Sequence, residues 1–228
     1  MTDVRSELKS AVDENYRRFH CNLIPGVDPE TVLGVRMPDQ RRIAKAVVRG
    51  DWRAYLELCA LEYYEEKMIF GLVVAEAKMG TEERRSYIRR FAALIDNWAV
   101  CDCVVSSMKF IAEDRAAFFS LIREYLCSRR EYDLRFAVVV LMTYYLTDEY
   151  IETVLELLDG VHSEFYYVRM AVAWAVSAAF VQYEQRTLAF LQNNHLDDFT
   201  YNKSLQKIIE SLRVSKENKA LMRSMKRK

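Results

Sequence analysis

Asp133-Leu134-Arg135-Phe136-Ala137-Val138-Val139-Val140 returns as Tyr167-Val168-Arg169-Met170-Ala171-Val172-Ala173-Trp174, and the two arginines stand at matching places in the copies. Looser copies begin at Glu65 (Glu65-Glu66-Lys67-Met68-Ile69-Phe70-Gly71-Leu72) and at Asp96 (Asp96-Asn97-Trp98-Ala99-Val100-Cys101-Asp102-Cys103). A unit of roughly this length that recurs along a chain marks stacked helical hairpins, because one hairpin cannot bury its apolar face except against its neighbours. The expected fold is therefore all-α: a curved solenoid of helical hairpin repeats, forming a single domain over residues 1–228, with equivalent helices lining one concave surface. A compact bundle with chance similarity between segments is the alternative.

The rest of the chain agrees with helix. Only six glycines and three prolines occur among 228 residues, and beyond Pro38 there is no proline to interrupt a helical ladder. Residues 1–33 form an atypical N-terminal segment, in which a helix over Leu8 to Arg18 gives way to a Pro/Gly loop containing Pro25, Gly26 and Pro29. Pro38 suits a first helical turn, with Ile43, Ala44 and Val47 as the apolar stripe that follows. Further helices are expected in series, among them Asn97 to Ile111, Tyr132 to Leu146, Ser163 to Val181 and the basic C-terminal helices of 201–228. Repeats of this kind are HEAT-like.

Composition limits the function classes. No stretch approaches the roughly 20 apolar residues of a membrane span, and the start Met1-Thr2-Asp3-Val4-Arg5 lacks the apolar core of a secretory signal, so a soluble cytoplasmic protein is expected, most simply a monomer. Cys21, Cys59, Cys101, Cys103 and Cys127 are odd in number and show no paired spacing, and His20, His162 and His195 do not group with them. Neither a disulfide framework nor a metal site is expected, and no cofactor motif occurs. Basic and acidic residues balance at 33 each, yet from Tyr201 to Lys228 nine basic residues face two glutamates. That tail, with Lys203 and Lys207 at its head, reads either as an electrostatic arm for a polyanion or as a solvated helix end whose cations suit the helix dipole.

Four residues do not fit a plain core. Asp102 lies in the apolar run Ala99 to Val105, four residues after Trp98 and on the same helical face. A buried acid there needs either a structural partner or a function that uses its charge. Arg135 and Arg169 would project at equivalent places one repeat apart. A row of guanidinium groups suits phosphates, and it equally suits a ladder of arginine–carboxylate pairs between repeats. Trp174 is a large ring among small neighbours, and by itself reads as core. Two indoles and a carboxylate on neighbouring helices would make a site for a delocalised cation.

Trp98-Ala-Val-Cys-Asp102, Arg135 in Leu-Arg-Phe-Ala-Val, and Trp174 in Met-Ala-Val-Ala-Trp-Ala together resemble the AlkD-type DNA alkylation repair proteins, the HEAT-like-repeat alkylpurine DNA glycosylases. Leu33-Gly34-Val35-Arg36-Met37-Pro38, Tyr64-Glu65-Glu66-Lys67 and Leu191-Gln192-Asn193-Asn194 extend the similarity over about Gly34 to Val214. The resemblance implies a surface that grips double-stranded DNA carrying an N3- or N7-alkylated purine and hydrolyses its N-glycosidic bond, without cofactor or metal. By position, Trp98 and Trp174 would pack on the deoxyribose and backbone, Asp102 would stabilise the oxocarbenium and position water, and Arg135 would hold a phosphate. Arg169, Lys203 and Lys207 are further candidates for DNA contact. The rival readings are a catalytically silent DNA-structure-binding relative and a solenoid that docks a protein.

Overall fold

The computed structural model describes residues 3–228, and among them α-helices are the dominant element. In chain order they are α1 (Val4–Ser10), α2 (Glu14–Cys21), α3 (Met37–Arg49), α4 (Trp52–Leu58), α5 (Tyr64–Glu76), α6 (Thr81–Leu94), α7 (Trp98–Val105), α8 (Phe110–Glu113) and α9 (Arg115–Leu126). There follow α10 (Glu131–Tyr144), α11 (Ile151–Asp159), α12 (Tyr166–Gln182), α13 (Glu184–Gln192), α14 (Asp198–Glu210) and α15 (Lys216–Ser224). The chain divides into two compact units, Met1–Ala117 and Phe118–Lys228. Among the described residues no helix is long and apolar enough to cross a membrane.

In the first unit α5 packs against α3 on one side and α7 on another, with α6 beside it. Its residues are buried almost without interruption from Tyr64 to Ala75, as expected of a helix that is apolar all round. Gly71 permits this. A Cβ there would stand 2.5 Å from Phe91 of α6 and 2.7 Å from Val104 of α7, so any larger residue would push two neighbours away. The start of α5 anchors the N-terminal segment by charge. Glu66 accepts both Nε and Nη2 of Arg5, at 2.7 and 3.0 Å, in the two-pronged geometry that suits a guanidinium. Glu65 accepts the backbone N–H groups of Leu33, Gly34 and Val35. Gly34 has φ +86°, and a Cβ there would stand 2.5 Å from the Cβ of Arg17 and 2.8 Å from the carbonyl oxygen of Asp13, so only glycine fits.

The helix expected over Leu8 to Arg18 is two helices. Val12 forms an isolated antiparallel bridge with Val35, which takes its backbone out of the ladder, and Asp13 then caps α2 by accepting the N–H of Tyr16 at 2.9 Å. The loop expected after it is present, and ends in a 3-10 turn at Pro29–Thr31. The helix expected over Asn97 to Ile111 is also interrupted. The hydroxyls of Ser106 and Ser107 fold back on the carbonyl of Cys103, at 2.8 and 3.2 Å, and end α7 before α8 begins.

In the second unit α12 packs between α10 and α14, with α11 and α13 alongside and α15 against α14. The best repeat copies thus fall on α10 and α12, two helices in direct contact. The core here is built from Phe136, Leu141, Tyr145, Val172, Phe180 and Leu205, each buried. The basic C-terminal segment folds back on its own unit: Arg227 stacks 3.9 Å over Tyr201 and donates to the carbonyl of Leu196 and to Asn194 Oδ1. That cation holds the segment against its own unit, a role that neither reading of the tail had given it.

Candidate functional site

Asn97 starts α7 by accepting the N–H of Val100 at 3.0 Å, and so sets the rotation that carries Trp98 and Asp102 one turn apart on the same face. Ala99, Val100, Cys101, Val104 and Val105 are buried, whereas Trp98 and Asp102 are half-buried at the edge of the core. Asp102 is therefore not sealed inside the apolar run in which it stands. The carboxylate has company: it helps burial push the neighbouring Cys103 thiol above its ordinary range.

Trp98 is fixed from one side. Its indole Nε1 donates to the carbonyl of Leu23 at 2.8 Å, which ties the loop after α2 to the start of α7. The helix α2 brings a group of aromatic rings to the same unit. Tyr16 stacks on His20 at 5.3 Å, His20 lies 5.0 Å from Tyr64, and the Arg36 guanidinium rests 4.8 Å over Tyr16. Burial pushes His20 below the usual histidine range. Phe19 of the same helix faces solvent. Nothing in the sequence sets these α2 residues apart, because Leu8 to Arg18 reads as a single helix. The signal was Asp13, an N-cap residue followed by Glu14 in a first turn.

In the second unit Trp174 is 41% exposed, although Ala171 to Ala173 and Ala175 to Ser177 around it are buried. Read singly it was a core residue; the structure puts it outside. It lines an open cleft of about 410 Å³ between α12 and the end of α14, together with Ser177, Gln182, Lys207, Glu210 and Arg213. An exposed indole beside two cations is a surface on which a sugar–phosphate chain can pack, ring to sugar and cation to phosphate.

The remaining candidates lie elsewhere in the same unit. Arg135 is buried, 6% exposed, and its Nη1 donates to the carbonyl of Tyr167 at 2.7 Å. The guanidinium expected to hold a phosphate is thus engaged in holding α12 to α10. Arg169 approaches Glu164 at 3.2 Å and Asp197 at 3.5 Å and rests 5.2 Å over the Phe199 ring, which is the pairing pattern of the arginine–carboxylate ladder. Lys203 lies 5.7 Å over the same ring, on the side of α14 that faces Asn202 and Lys226 rather than in the cleft of Lys207. Among the described residues no group of three or more histidine, cysteine or acidic side chains could hold a metal ion, and the cysteines are free.

With this geometry in view, the comparison with known proteins is informative. The family model described as DNA alkylation repair enzyme matches residues 2–208, which include Trp98, Asp102, Arg135 and Trp174. No curated protein matches the chain closely enough to be named beside it. Since the match covers nearly the whole sequence, the chain belongs to the DNA alkylation repair enzyme family.

Proposed function

We propose that this protein binds duplex DNA containing a positively charged N3- or N7-alkylated purine and hydrolyses the bond between that base and its deoxyribose. The single observation that carries the reading is the exposure of Trp174, a large indole between buried neighbours in sequence and beside Lys207 and Arg213. Full burial of a large side chain is worth about 1.5–3 kcal/mol, and Trp174 forgoes part of that gain at 41% exposure, which leaves a ring face free for packing. The helix rows α3–α5–α7 and α10–α12–α14 are, on this reading, HEAT-like repeats.

The chemistry asked of the protein is modest. An alkylated purine already carries positive charge, so when its C1′–N bond breaks the bonding pair neutralises the base, and no acid need protonate it. Positive charge then develops on the sugar. Asp102, half-buried and on a helix fixed by Asn97, is the carboxylate assigned to stabilise that oxocarbenium and to orient the water whose oxygen bonds to C1′ and whose proton passes to solvent. Trp98, anchored by Leu23, is assigned to pack on the sugar, and Trp174 with Lys207 and Arg213 to grip the backbone. Arg135 and Arg169 are assigned to maintaining the repeats, from the bonds they already make.

The test is base release from alkylated duplex DNA. The wild type should release alkylpurine well above the spontaneous rate, and Asp102→Asn should be slower by about 100-fold or more, as removal of one electrostatic group aimed at a transition state typically gives. Release no faster than the spontaneous rate would end the hydrolase assignment. Salt-sensitive DNA binding without release would identify a silent DNA-binding member of the family instead.

A further inference from the structure

The first unit contains a second open cleft, of about 610 Å³, at the ends of α5 and α7. Arg41 and Lys45 enter it from successive turns of α3, Lys78 from just beyond α5, and Lys109 from just beyond α7. Ser106 and Ser107 line its wall, four and five residues after Asp102. Glu76 and Glu113 are the acids present, so the cations outnumber them even before Arg84 is counted.

Cations at helix ends commonly serve the unpaired carbonyls there. Here that need is met by other groups. At the end of α5, Arg84 donates Nη1 to the carbonyl of Val74 and Nη2 to that of Ala77, at 2.8 and 2.6 Å, while its guanidinium stacks 4.1 Å from the Phe110 ring. At the end of α7, the carbonyl of Cys103 accepts both serine hydroxyls. Arg41 uses Nη1 on Ser107 at 2.9 Å, which aims its planar group into the cleft with further N–H donors. Lys45, Lys78 and Lys109 are exposed, and among the described residues none of them forms an ion pair within 4.0 Å. Three ammonium groups and a held guanidinium converging on one polar hollow form an arrangement suited to an anion with several phosphates.

We propose that this cleft holds successive backbone phosphates of a nucleic-acid strand, with Arg41 as the fixed donor and Lys45, Lys78 and Lys109 as point charges around it. The proposal rests on the DNA reading above for its partner, and extends it to a surface that begins one turn past Asp102, at the end of α7. Its function is to hold the strand, with no contact to the reacting atoms.

The experiment uses the full chain and the triple substitution Lys45→Ala, Lys78→Ala, Lys109→Ala, whose exposed sites leave the core untouched, as an unchanged melting temperature would verify. Affinity for undamaged duplex DNA is measured by fluorescence anisotropy between about 50 and about 200 mM salt. Loss of three phosphate contacts should flatten the slope of log affinity against log salt by about 2.7, so that the wild type loses about 40-fold more affinity than the variant across that range. Equal slopes would overturn the proposal. So would lysine-dependent binding of inorganic tripolyphosphate with no change in the DNA slope, since the cleft would then serve a free polyphosphate. Base release is read separately: its absence in the wild type removes the hydrolase assignment and leaves the slope comparison valid.

Discussion

The carboxylate of Glu65, buried at the start of α5, accepts the backbone N–H of Gly34 at 2.7 Å, and so ties two sequence words some thirty residues apart. Leu33 and Val35 donate to the same carboxylate, at 3.0 and 3.1 Å. An acid in a buried place is thereby used as a clamp for three amide groups that would otherwise lack acceptors.

Glu65→Gln keeps the shape and turns an amide NH2 toward amide N–H donors. It should lower stability by about 1–3 kcal/mol in urea denaturation. The pH dependence has a definite sign. Burial raises the Glu65 carboxyl above its ordinary 4.5, against the pull of the three N–H donors. A raised value in the folded state means that the contribution is fully present below pH about 4.5 and is lost as pH rises through the folded value. The stability gap between wild type and Glu65→Gln should therefore narrow with rising pH. A gap that widens would show the carboxyl to be lowered instead.

Arg135→Ala should destabilise the second unit by about 1–3 kcal/mol, because the buried arginine is lost from the core and the part-buried Tyr167 carbonyl loses its donor. Its effect on DNA binding separates two roles. A brace changes affinity without altering the salt slope, whereas a direct phosphate contact would remove about one unit of slope. The first outcome is expected. The readout is anisotropy over a salt series, at a temperature where the variant remains folded.

Trp174→Ala should leave the folded state nearly as stable, within about 0.5–1 kcal/mol, since the ring is 41% exposed. DNA affinity and base release should fall together by about tenfold, the loss that follows from removing roughly 1–2 kcal/mol of ring packing. A variant that binds and cleaves like the wild type would remove Trp174 from the site. Trp174→Phe should recover part of the loss.

Much of this was legible in the sequence. The recurrence of Arg135 at Arg169, with apolar residues after each, marked α10 and α12 as equivalent helices, and they do pack together. The spacing of Trp98 and Asp102 put them on one face, because helical periodicity is local. What the sequence concealed was whatever depends on distant partners. Nothing near Arg135 announces that the Tyr167 carbonyl will take its guanidinium, and nothing near Trp98 announces Leu23. The break between α1 and α2 comes from Val35, far along the chain, pairing with Val12.

The amino-acid order alone determined that the chain is helical and that its segments recur, because propensity, proline placement and repeat spacing are properties of neighbouring residues, while the family was legible in the motifs around Trp98, Asp102, Arg135 and Trp174 through their resemblance to it. Tertiary structure alone decided which charges are spent. Arg135, Arg169 and Arg227 are occupied by carbonyls and carboxylates, whereas Arg41, Lys45, Lys78 and Lys109 converge on an open cleft. The physical reason is that whether a cation is available depends on the acceptors folding brings within hydrogen-bond reach, and most of those acceptors, Tyr167 for Arg135, Asp197 for Arg169 and Leu196 for Arg227, lie far away in sequence, with Glu164 beside Arg169 the local exception.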